Sequence, residues 1–186
     1  MTFLRREEPA RHPLTGPFTL ARLQETHRRL FQDVYRWAGE IRTVEIRKGS
    51  SQFHLAELLA TGADATFAWL EESGLFEADT EDDAFVRLAS DLLEKLNYLH
   101  PFREGNGRTQ RAFLDQVAEM SGRRLAWRNI SQREHTLASI RAFEAGSGEP
   151  FRTIVAEVPK PPLDGLSPLE ASVYQVSARR PSPPPT

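Results

Sequence analysis

The chain has 186 residues, of which 39% are hydrophobic and 27% charged, a composition typical of one globular domain with a hydrophobic core. Its 24 basic and 26 acidic side chains give a formal net charge of −2, which offers no global electrostatic attraction to nucleic acid or to a membrane surface. The absence of cysteine excludes disulfides and thiolate catalysis. No window approaches the ~20 apolar residues of a membrane span and no secretory signal is visible, so we expect a cytoplasmic protein.

The first third of the chain predicts one helix and one hairpin. Residues 1–18 are polar and contain three prolines, which predicts an irregular lead-in. Between Thr19 and Trp37 apolar side chains recur at helical spacing, so we expect a helix there that Gly39 ends. Residues 41–47 then alternate apolar and polar side chains, which predicts a strand, and a turn followed by a short return completes a β-hairpin.

The remainder predicts further helices around one core. Residues 54–72 have a helical pattern, and Thr80 is expected to cap the next helix, which His100-Pro101 ends. The apolar stripe of that helix is Phe85, Leu88, Leu92, Leu93 and Leu96. Further helices are predicted over 107–121, before Gly122; from the capping box Ser131–Glu134 to Ala145; and over 151–158. Residues 159–186 are proline-rich and predict a disordered tail, which leaves an all-α domain over 19–158 with one small hairpin.

One twelve-residue window carries most of the groups that can do chemistry. It spans residues 100–111 and reads His-Pro-Phe-Arg-Glu-Gly-Asn-Gly-Arg-Thr-Gln-Arg. Gly105, Asn106 and Gly107 tolerate positive φ and let the backbone approach a ligand closely, just before a predicted helix. Successive N–H groups at a helix N-terminus form an anion site.

Three charged side chains flank this anion site. Arg108 and Arg111 are three residues apart, so both project from nearly the same face of the first helical turn. Two guanidinium groups beside an anion site suit a polyphosphate. Glu104 would repel phosphates unless a cation lay between them, and Mg²⁺ binds through one or two carboxylates plus substrate phosphates. Glu104 is therefore the predicted magnesium ligand.

His100 is the natural proton acceptor of the window. Its ordinary pKa of ~6.5 suits removal of a proton from an attacking hydroxyl at neutral pH. Phe102 is expected to point inward and fix the loop to the core. Each residue alone also has a purely structural interpretation, since a His-Pro turn can join two helices and two arginines can form a solvated face. Their combination in one window favours catalysis.

The window resembles the motif of the Fic family, H-x-F-x-[DE]-G-N-G-R-x-x-R, at every fixed position. Residues 30–39 also resemble the upstream helix of that family, and Ile41-Arg42 with Lys48-Gly49 resemble the approach to its hairpin flap. The resemblance covers roughly residues 19–146, most of the chain. It implies a Fic-like helical bundle with a small β-hairpin flap.

The resemblance also implies a reaction and a role for each matched residue. His100 would deprotonate a Ser, Thr or Tyr hydroxyl of a target protein, which attacks the α-phosphorus of the co-substrate ATP while pyrophosphate leaves. Glu104 would hold Mg²⁺ on the α- and β-phosphates, and Phe102 would be the structural aromatic. The implied catalytic set is His100, Asn106, Arg108 and Arg111, and the implied phosphate-binding set is Gly105, Asn106, Gly107, Arg108 and Arg111.

Two protein partners follow from the same resemblance. The flap would receive an extended target segment by strand addition. Its predicted residues are Thr43, Val44, Glu45, Ile46, Arg47, Lys48 and Gly49. Many Fic proteins also carry an inhibitory helix with the pattern [ST]-x-x-x-E-[GN], whose glutamate pairs with the second arginine, here Arg111. The only glutamate before Gly or Asn is Glu104 itself, so we expect a small antitoxin chain to supply the helix.

The predicted function is therefore transfer of AMP to a protein by the toxin of a toxin–antitoxin pair. Within the same fold, the alternatives are transfer from another nucleotide and protein phosphorylation, although Doc-like kinases carry Lys where Gly107 stands. A non-catalytic nucleotide-binding module would need neither His100 nor Glu104. The catalytic domain of a secreted effector is a further alternative, with the proline-rich tail as a linker. Nucleic-acid and membrane partners are not expected.

Overall fold

Six helices and one two-stranded hairpin form the regular structure of the described residues. The computed structural model describes residues 14–48, 51–77, 79–125, 127 and 130–156. Its helices are α1 Leu20–Phe31, α2 Leu59–Glu72, α3 Asp82–Leu99, α4 Asn106–Met120, α5 Gln132–Ala145 and α6 Arg152–Val155. The strands are β1 Arg47–Lys48 and β2 Ser51–Gln52, and 3₁₀ turns at Ala56–Leu58 and Glu149–Phe151 precede α2 and α6. The predicted all-α class with a small hairpin is confirmed.

Some predictions fall on parts of the chain that the structure does not describe. The predicted lead-in lies mostly within residues 1–13, and the predicted tail occupies 159–186; both are outside the described residues. The same holds for Gly49 of the predicted flap and for residues 157–158 at the end of the predicted domain.

Helix α1 begins where predicted and ends earlier than predicted. Thr19 caps it by accepting a hydrogen bond from the Arg22 N–H at 3.5 Å. The predicted extension to Trp37 is wrong, because the chain leaves the helix after Phe31 and forms successive turns. The Trp37 ring folds back and stacks on Tyr35 at 4.3 Å between centroids. Tyr35 and Trp37 therefore cover one end of α1 instead of continuing its buried face, whereas Val34 is exposed.

The hairpin is shorter than the predicted strand. Only β1 and β2 pair, antiparallel, with Arg47 opposite Gln52. Residues 41–46 form no ladder among the described residues, and their burial does not alternate: Arg42 is 1% exposed, whereas the next three residues are all exposed, Val44 to 54%. The prediction of a strand over 41–47 is therefore wrong except at its last residue. Arg42 is buried there because backbone carbonyls accept hydrogen bonds from its guanidinium.

Helix α3 lies at the centre of the fold and contacts α2, α4, α5 and α6. Its predicted apolar stripe is buried except for Leu88, which is partly buried. The residue that precedes its first turn is Glu81, which makes no side-chain cap. The prediction that Thr80 caps this helix is wrong, because the Thr80 hydroxyl instead donates to the Gly74 carbonyl at 2.9 Å and closes the preceding turn.

Helices α4 and α5 complete the frame of the site. Helix α4 packs against α1 and α3 and ends before Gly122, which has a φ of 71°. The predicted capping box of α5 is confirmed: Ser131 accepts from the Glu134 N–H at 3.2 Å, and Glu134 accepts from the Ser131 N–H at 2.7 Å. Of the helices in the described part of the chain, none is long and apolar enough to cross a bilayer.

Candidate active site

The connection between α3 and α4 is a tight loop closed by its own side chains. Helix α3 ends at Leu99, and His100 takes a left-handed conformation with a φ of 43°. Asn106, only 4% exposed, bridges the loop: its Oδ1 accepts from the Phe102 N–H at 3.0 Å, and its Nδ2 donates to the Phe102 carbonyl at 2.7 Å. Asn106 therefore fixes the loop backbone from inside.

The two glycines of the loop have different surroundings. Gly105 precedes the first turn of α4 with a φ of 84°, and a methyl group there would lie 2.6 Å from the Phe31 ring. Only glycine fits both conditions. A methyl group at Gly107 would meet the His135 ring at 3.6 Å and Arg111 at 4.0 Å, which are ordinary contacts. The absence of a side chain at Gly107 therefore keeps the N-terminus of α4 open without being required by the fold.

A cavity of about 920 Å³ opens in front of this helix N-terminus. It is bounded by the loop, the hairpin and α5. Its walls include His100, Glu104, Gly105, Asn106, Gly107, Arg108, Arg111, Ile46, Arg47, Phe53, His135 and Phe143. The side chains of Glu104 and Arg108 are exposed, whereas Arg111 is half-buried. Arg108 lies with its guanidinium carbon 4.4 Å from the centre of the Phe31 ring.

The His100 imidazole is held by a ring and a carbonyl. It stacks on Phe53 at 3.8 Å between centroids, with 14° between the planes. Its Nδ1 lies 3.3 Å from the Asn97 carbonyl oxygen, so the proton is assigned to Nδ1 and the lone pair to Nε2. The half-buried ring borders the cavity, and this tautomer has the proton-accepting nitrogen that a general base needs.

Glu104 provides a carboxylate at the edge of the anion site. Its Oε1 accepts from the Gly105 N–H at 3.1 Å, which keeps the side chain near the start of α4. Among the described residues, no group of three His, Cys, Asp or Glu side chains is arranged to hold a metal ion. A single exposed carboxylate beside an anion site fits Mg²⁺, which keeps waters and takes further ligands from substrate phosphates.

His27, buried in α1, supports the loop from below. Its ring stacks on Phe102 at 3.9 Å. Its Nδ1 accepts from the Gly39 N–H at 2.9 Å, so its Nε2 carries the proton and donates to the Glu104 carbonyl at 3.0 Å. Burial lowers the pKa of His27, and the charge of Arg108 lowers it further. A neutral His27 thus connects α1 to the candidate metal ligand.

His135 lies on the opposite wall, on α5. It is 5% exposed, and its Nε2 has no hydrogen-bond partner among the described residues. Burial lowers its pKa to about 4, and the charge of Arg111 adds to the effect. This imidazole is therefore neutral at physiological pH and adds no positive charge beside the two arginines.

The loop thus brings together the predicted groups at His100, Phe102, Glu104 to Arg108 and Arg111. Of the predicted flap, Ile46 and Arg47 line the cavity, whereas Thr43, Val44 and Glu45 are exposed and lie outside the paired strands. Three further residues support the site and are not among those predicted from the sequence: His27, Arg42 and His135. The available signal at His27 was a polar side chain in line with Leu23 and Leu30 on the apolar face of α1. Arg42 is one of the polar residues in the alternating pattern over 41–47 and offered no such signal.

A helical domain with an imidazole, a carboxylate and two arginines around a glycine-flanked helix N-terminus is of the Fic type. A sequence model of the Fic/DOC family matches residues 17–118, more than half of the chain. The chain therefore belongs to the Fic/DOC family.

Three curated relatives are named as protein adenylyltransferases. VbhT of Bartonella schoenbuchensis is 36% identical over 146 residues, which are 78% of this chain and 30% of that protein. The probable enzyme y4lH of Sinorhizobium fredii is 36% identical over 69% of this chain and 67% of its own length. The probable enzyme Fic of Escherichia coli is 38% identical over 63% and 59%, respectively. The chain thus spans from about a third to two thirds of these relatives.

Solved structures show the same fold. The effector BepC of Bartonella tribocorum, determined with bound AMPPNP, superposes with a TM-score of 0.80 at 20% identity, over 87% of this chain and 84% of that one. The type IV secretion effector BepA gives a TM-score of 0.74 at 26% identity, over 94% and 62% of the two chains.

Proposed function

We propose that the chain is a protein adenylyltransferase that transfers AMP from ATP to a hydroxyl side chain of a target protein. The observation that carries the proposal is the cradle at the N-terminus of α4, where Gly105, Asn106 and Gly107 border one cavity with His100 and two arginines. The names of the three curated relatives support the same activity.

The triphosphate of ATP is proposed to lie against the start of α4. The backbone N–H groups and the positive end of the helix dipole attract its oxygens. Arg108 contacts the β-phosphate side, and Arg111 orients the γ-phosphate. Glu104 would hold Mg²⁺, which neutralises phosphate charge when bound.

The transfer itself needs one proton acceptor. His100 Nε2 takes the proton of a Ser, Thr or Tyr hydroxyl, and the hydroxyl oxygen forms a bond to the α-phosphorus of ATP. The bond between that phosphorus and the oxygen bridging to the β-phosphate breaks, and the electron pair leaves with pyrophosphate. Most of the acceleration comes from positioning and from charge stabilisation, as is general for phosphoryl-type transfers.

Two partner proteins belong to this proposal. The target segment is proposed to lie in extended form along residues 43–49, because Ile46 and Arg47 face the same cavity as His100. An inhibitory helix from a separate antitoxin chain is proposed to place a carboxylate on Arg111, which is half-buried on the cavity wall. Both partners fit a cytoplasmic toxin–antitoxin pair. Purification together with a neighbouring small chain, and loss of that pairing in Arg111→Gln, would test the second partner.

Mass spectrometry of a modified target tests the activity. The chain is incubated with Mg²⁺, cell extract and ATP labelled either in the adenine or in the γ-phosphate, and adducts on tryptic peptides are identified. We expect an AMP adduct that carries the adenine label. A phosphate adduct with the γ label would instead establish a kinase.

A pair of variants separates catalysis from folding in the same assay. His100→Ala should abolish the adduct, because the cavity then lacks the imidazole that accepts the hydroxyl proton. Glu57→Ala is the control, since Glu57 is exposed and does not border the cavity. Full transfer by His100→Ala would contradict the assignment of the base.

A further inference from the structure

Arg42 is a charged side chain buried at the base of the hairpin. Its exposed fraction is 1%, so the guanidinium is almost completely removed from water. Its carboxylate neighbour, Glu45, is 3.9 Å away and 46% exposed. Burial lowers the pKa of Arg42, and Glu45 only partly opposes that effect. A buried charge is costly unless hydrogen bonds satisfy it, so the acceptors around Arg42 are informative.

Part of this acceptor set lies in the loop between α3 and α4, called here the catalytic loop. The backbone N–H of Arg42 donates to the Pro101 carbonyl at 2.8 Å. Its Nε donates to the His100 carbonyl at 2.9 Å, and one terminal nitrogen reaches the Leu99 carbonyl at 3.5 Å. Arg42 therefore contacts three consecutive carbonyls at the point where α3 ends.

The remaining acceptors belong to the hairpin. One terminal nitrogen of Arg42 donates to the Val44 carbonyl at 2.9 Å, and the other donates to the His54 carbonyl. Val44 precedes β1 and His54 follows β2, so Arg42 joins the two ends of the hairpin. The His54 N–H in turn donates to the Tyr98 carbonyl at 3.0 Å. One guanidinium thus fixes the hairpin and the catalytic loop together.

The backbone that Arg42 holds is an unusual one. His100 is the only non-glycine residue with positive φ in the described part of the chain, and it precedes a proline. Such conformations are unfavourable for a residue other than glycine and persist only where the surroundings over-determine them. The bond from Arg42 Nε to the His100 carbonyl stabilises that peptide group in the required orientation.

We propose that Arg42 is a positioning residue that holds the His100 backbone in its left-handed conformation and couples it to the hairpin. The proposal rests on the proposed function only in taking His100 as the base. A shift of the hairpin, such as one caused by a target segment, is then transmitted through one side chain to the imidazole. Arg42 borders neither the cavity nor the phosphate cradle. The loop that forms the cradle is fixed separately, by the bond from the Phe102 N–H to Asn106.

The test uses Arg42→Met, with Arg123→Met as the matched control. Arg123 is the other fully buried arginine of the described residues, and it donates to the Ser121 carbonyl and to Asp82, away from the site. The imidazole resonances of His100 and the hydrogen exchange of the His54 amide are measured on the chain alone. Transfer activity is not needed for either readout, so failure of the proposed function would be seen separately.

In Arg42→Met we expect shifted His100 resonances together with faster exchange of the His54 amide, and neither change in Arg123→Met. Where transfer is measured, kcat should fall by about 10²-fold with unchanged ATP affinity, because a displaced base costs rate and the cradle stays intact. If the Met variant does not fold, Arg42→Lys serves, since lysine keeps the charge but lacks the fork of donors. Unchanged His100 resonances in a folded Arg42 variant would overturn the proposal.

Discussion

At the residue scale, Gly105 and Gly107 lie two positions apart under different constraints. An alanine at 105 would adopt a φ of 84° and place its methyl group 2.6 Å from the Phe31 ring. Strained backbone and overpacking each cost about 1–3 kcal/mol, so Gly105→Ala should lower the free energy of unfolding by roughly 2–6 kcal/mol. Urea denaturation measures it.

Gly107→Ala is the informative counterpart of that variant. Its methyl group makes ordinary contacts, and alanine favours a helix over glycine by about 0.5–1 kcal/mol. Stability should be equal or slightly higher, whereas ATP affinity should fall because the methyl group occupies the cradle. A Gly107→Ala variant that unfolds as readily as Gly105→Ala would contradict the different constraints assigned to the two glycines.

His135 makes stability depend on pH. Its pKa is about 4 in the folded chain and ~6.5 in the unfolded one, so the unfolded chain takes up the proton first as the pH falls. The stability due to neutral His135 is complete above pH ~6.5 and is lost towards pH 4, by about 2 kcal/mol between pH 7 and 5. His135→Phe should lose less stability over that interval. If the free energies of unfolding of the two proteins, measured by urea denaturation, changed in parallel with pH, the assignment of this pH dependence to His135 would be wrong.

At the scale of elements, the capping box of α5 is a local device with a measurable effect. Ser131 and Glu134 satisfy two backbone donors reciprocally, and the helix that they start carries His135 into the wall of the cavity. Ser131→Ala should lower the free energy of unfolding by about 1 kcal/mol. Thr136→Ala is the control, because its exposed hydroxyl returns to the Gln132 carbonyl of the same helix and should be nearly neutral. Equal losses would show that the cap contributes nothing specific.

The contrast between α5 and the hairpin explains which elements the sequence predicts well. The start of α5 depends on two residues three positions apart, so its signal lies within one turn. The conformation of residues 41–47 depends on two carbonyls that lie 57 and 58 positions after Arg42 and accept hydrogen bonds from its guanidinium. Alternation of side chains carries no information about such partners. The same applies to α1, which ends at Phe31 although the apolar spacing continues to Trp37. The Trp37 ring instead stacks on Tyr35 and on His27, a contact that the spacing does not predict.

The residues of the candidate site also fall into two groups, those that the local sequence predicts and those that it does not. The groups within residues 100–111 are predictable because a loop and the first turn of a helix bring together residues that are adjacent in sequence. The residues that hold this loop are distant: His27 reaches the Glu104 carbonyl across 77 positions. A buried histidine on α1 has the same local pattern whether it fills the core or holds a carbonyl. Only the folded chain distinguishes the two.

At the scale of the whole molecule, nucleotide binding should appear as added stability. A ligand at 100 times its Kd that binds only the folded state adds about 2.7 kcal/mol. For a chain of this size that corresponds to a rise in Tm of roughly 5–10 °C. We expect this rise with ATP and Mg²⁺, and a smaller one with ATP and a chelator, since uncompensated phosphate charge would face Glu104. Arg111→Gln should reduce the rise in both conditions.

Glu104→Gln distinguishes the carboxylate from the rest of the cradle. Without the acid there is neither a magnesium ligand nor a charge that repels ATP, so the difference in Tm between magnesium and chelator should shrink. Glu57→Gln, an exposed acid that does not border the cavity, should behave as the wild type. A full magnesium effect in Glu104→Gln would place the metal elsewhere, and no rise with ATP in the wild type would remove the cradle as a triphosphate site. Both readings come from the folded chain alone, so they test nucleotide binding independently of any target protein.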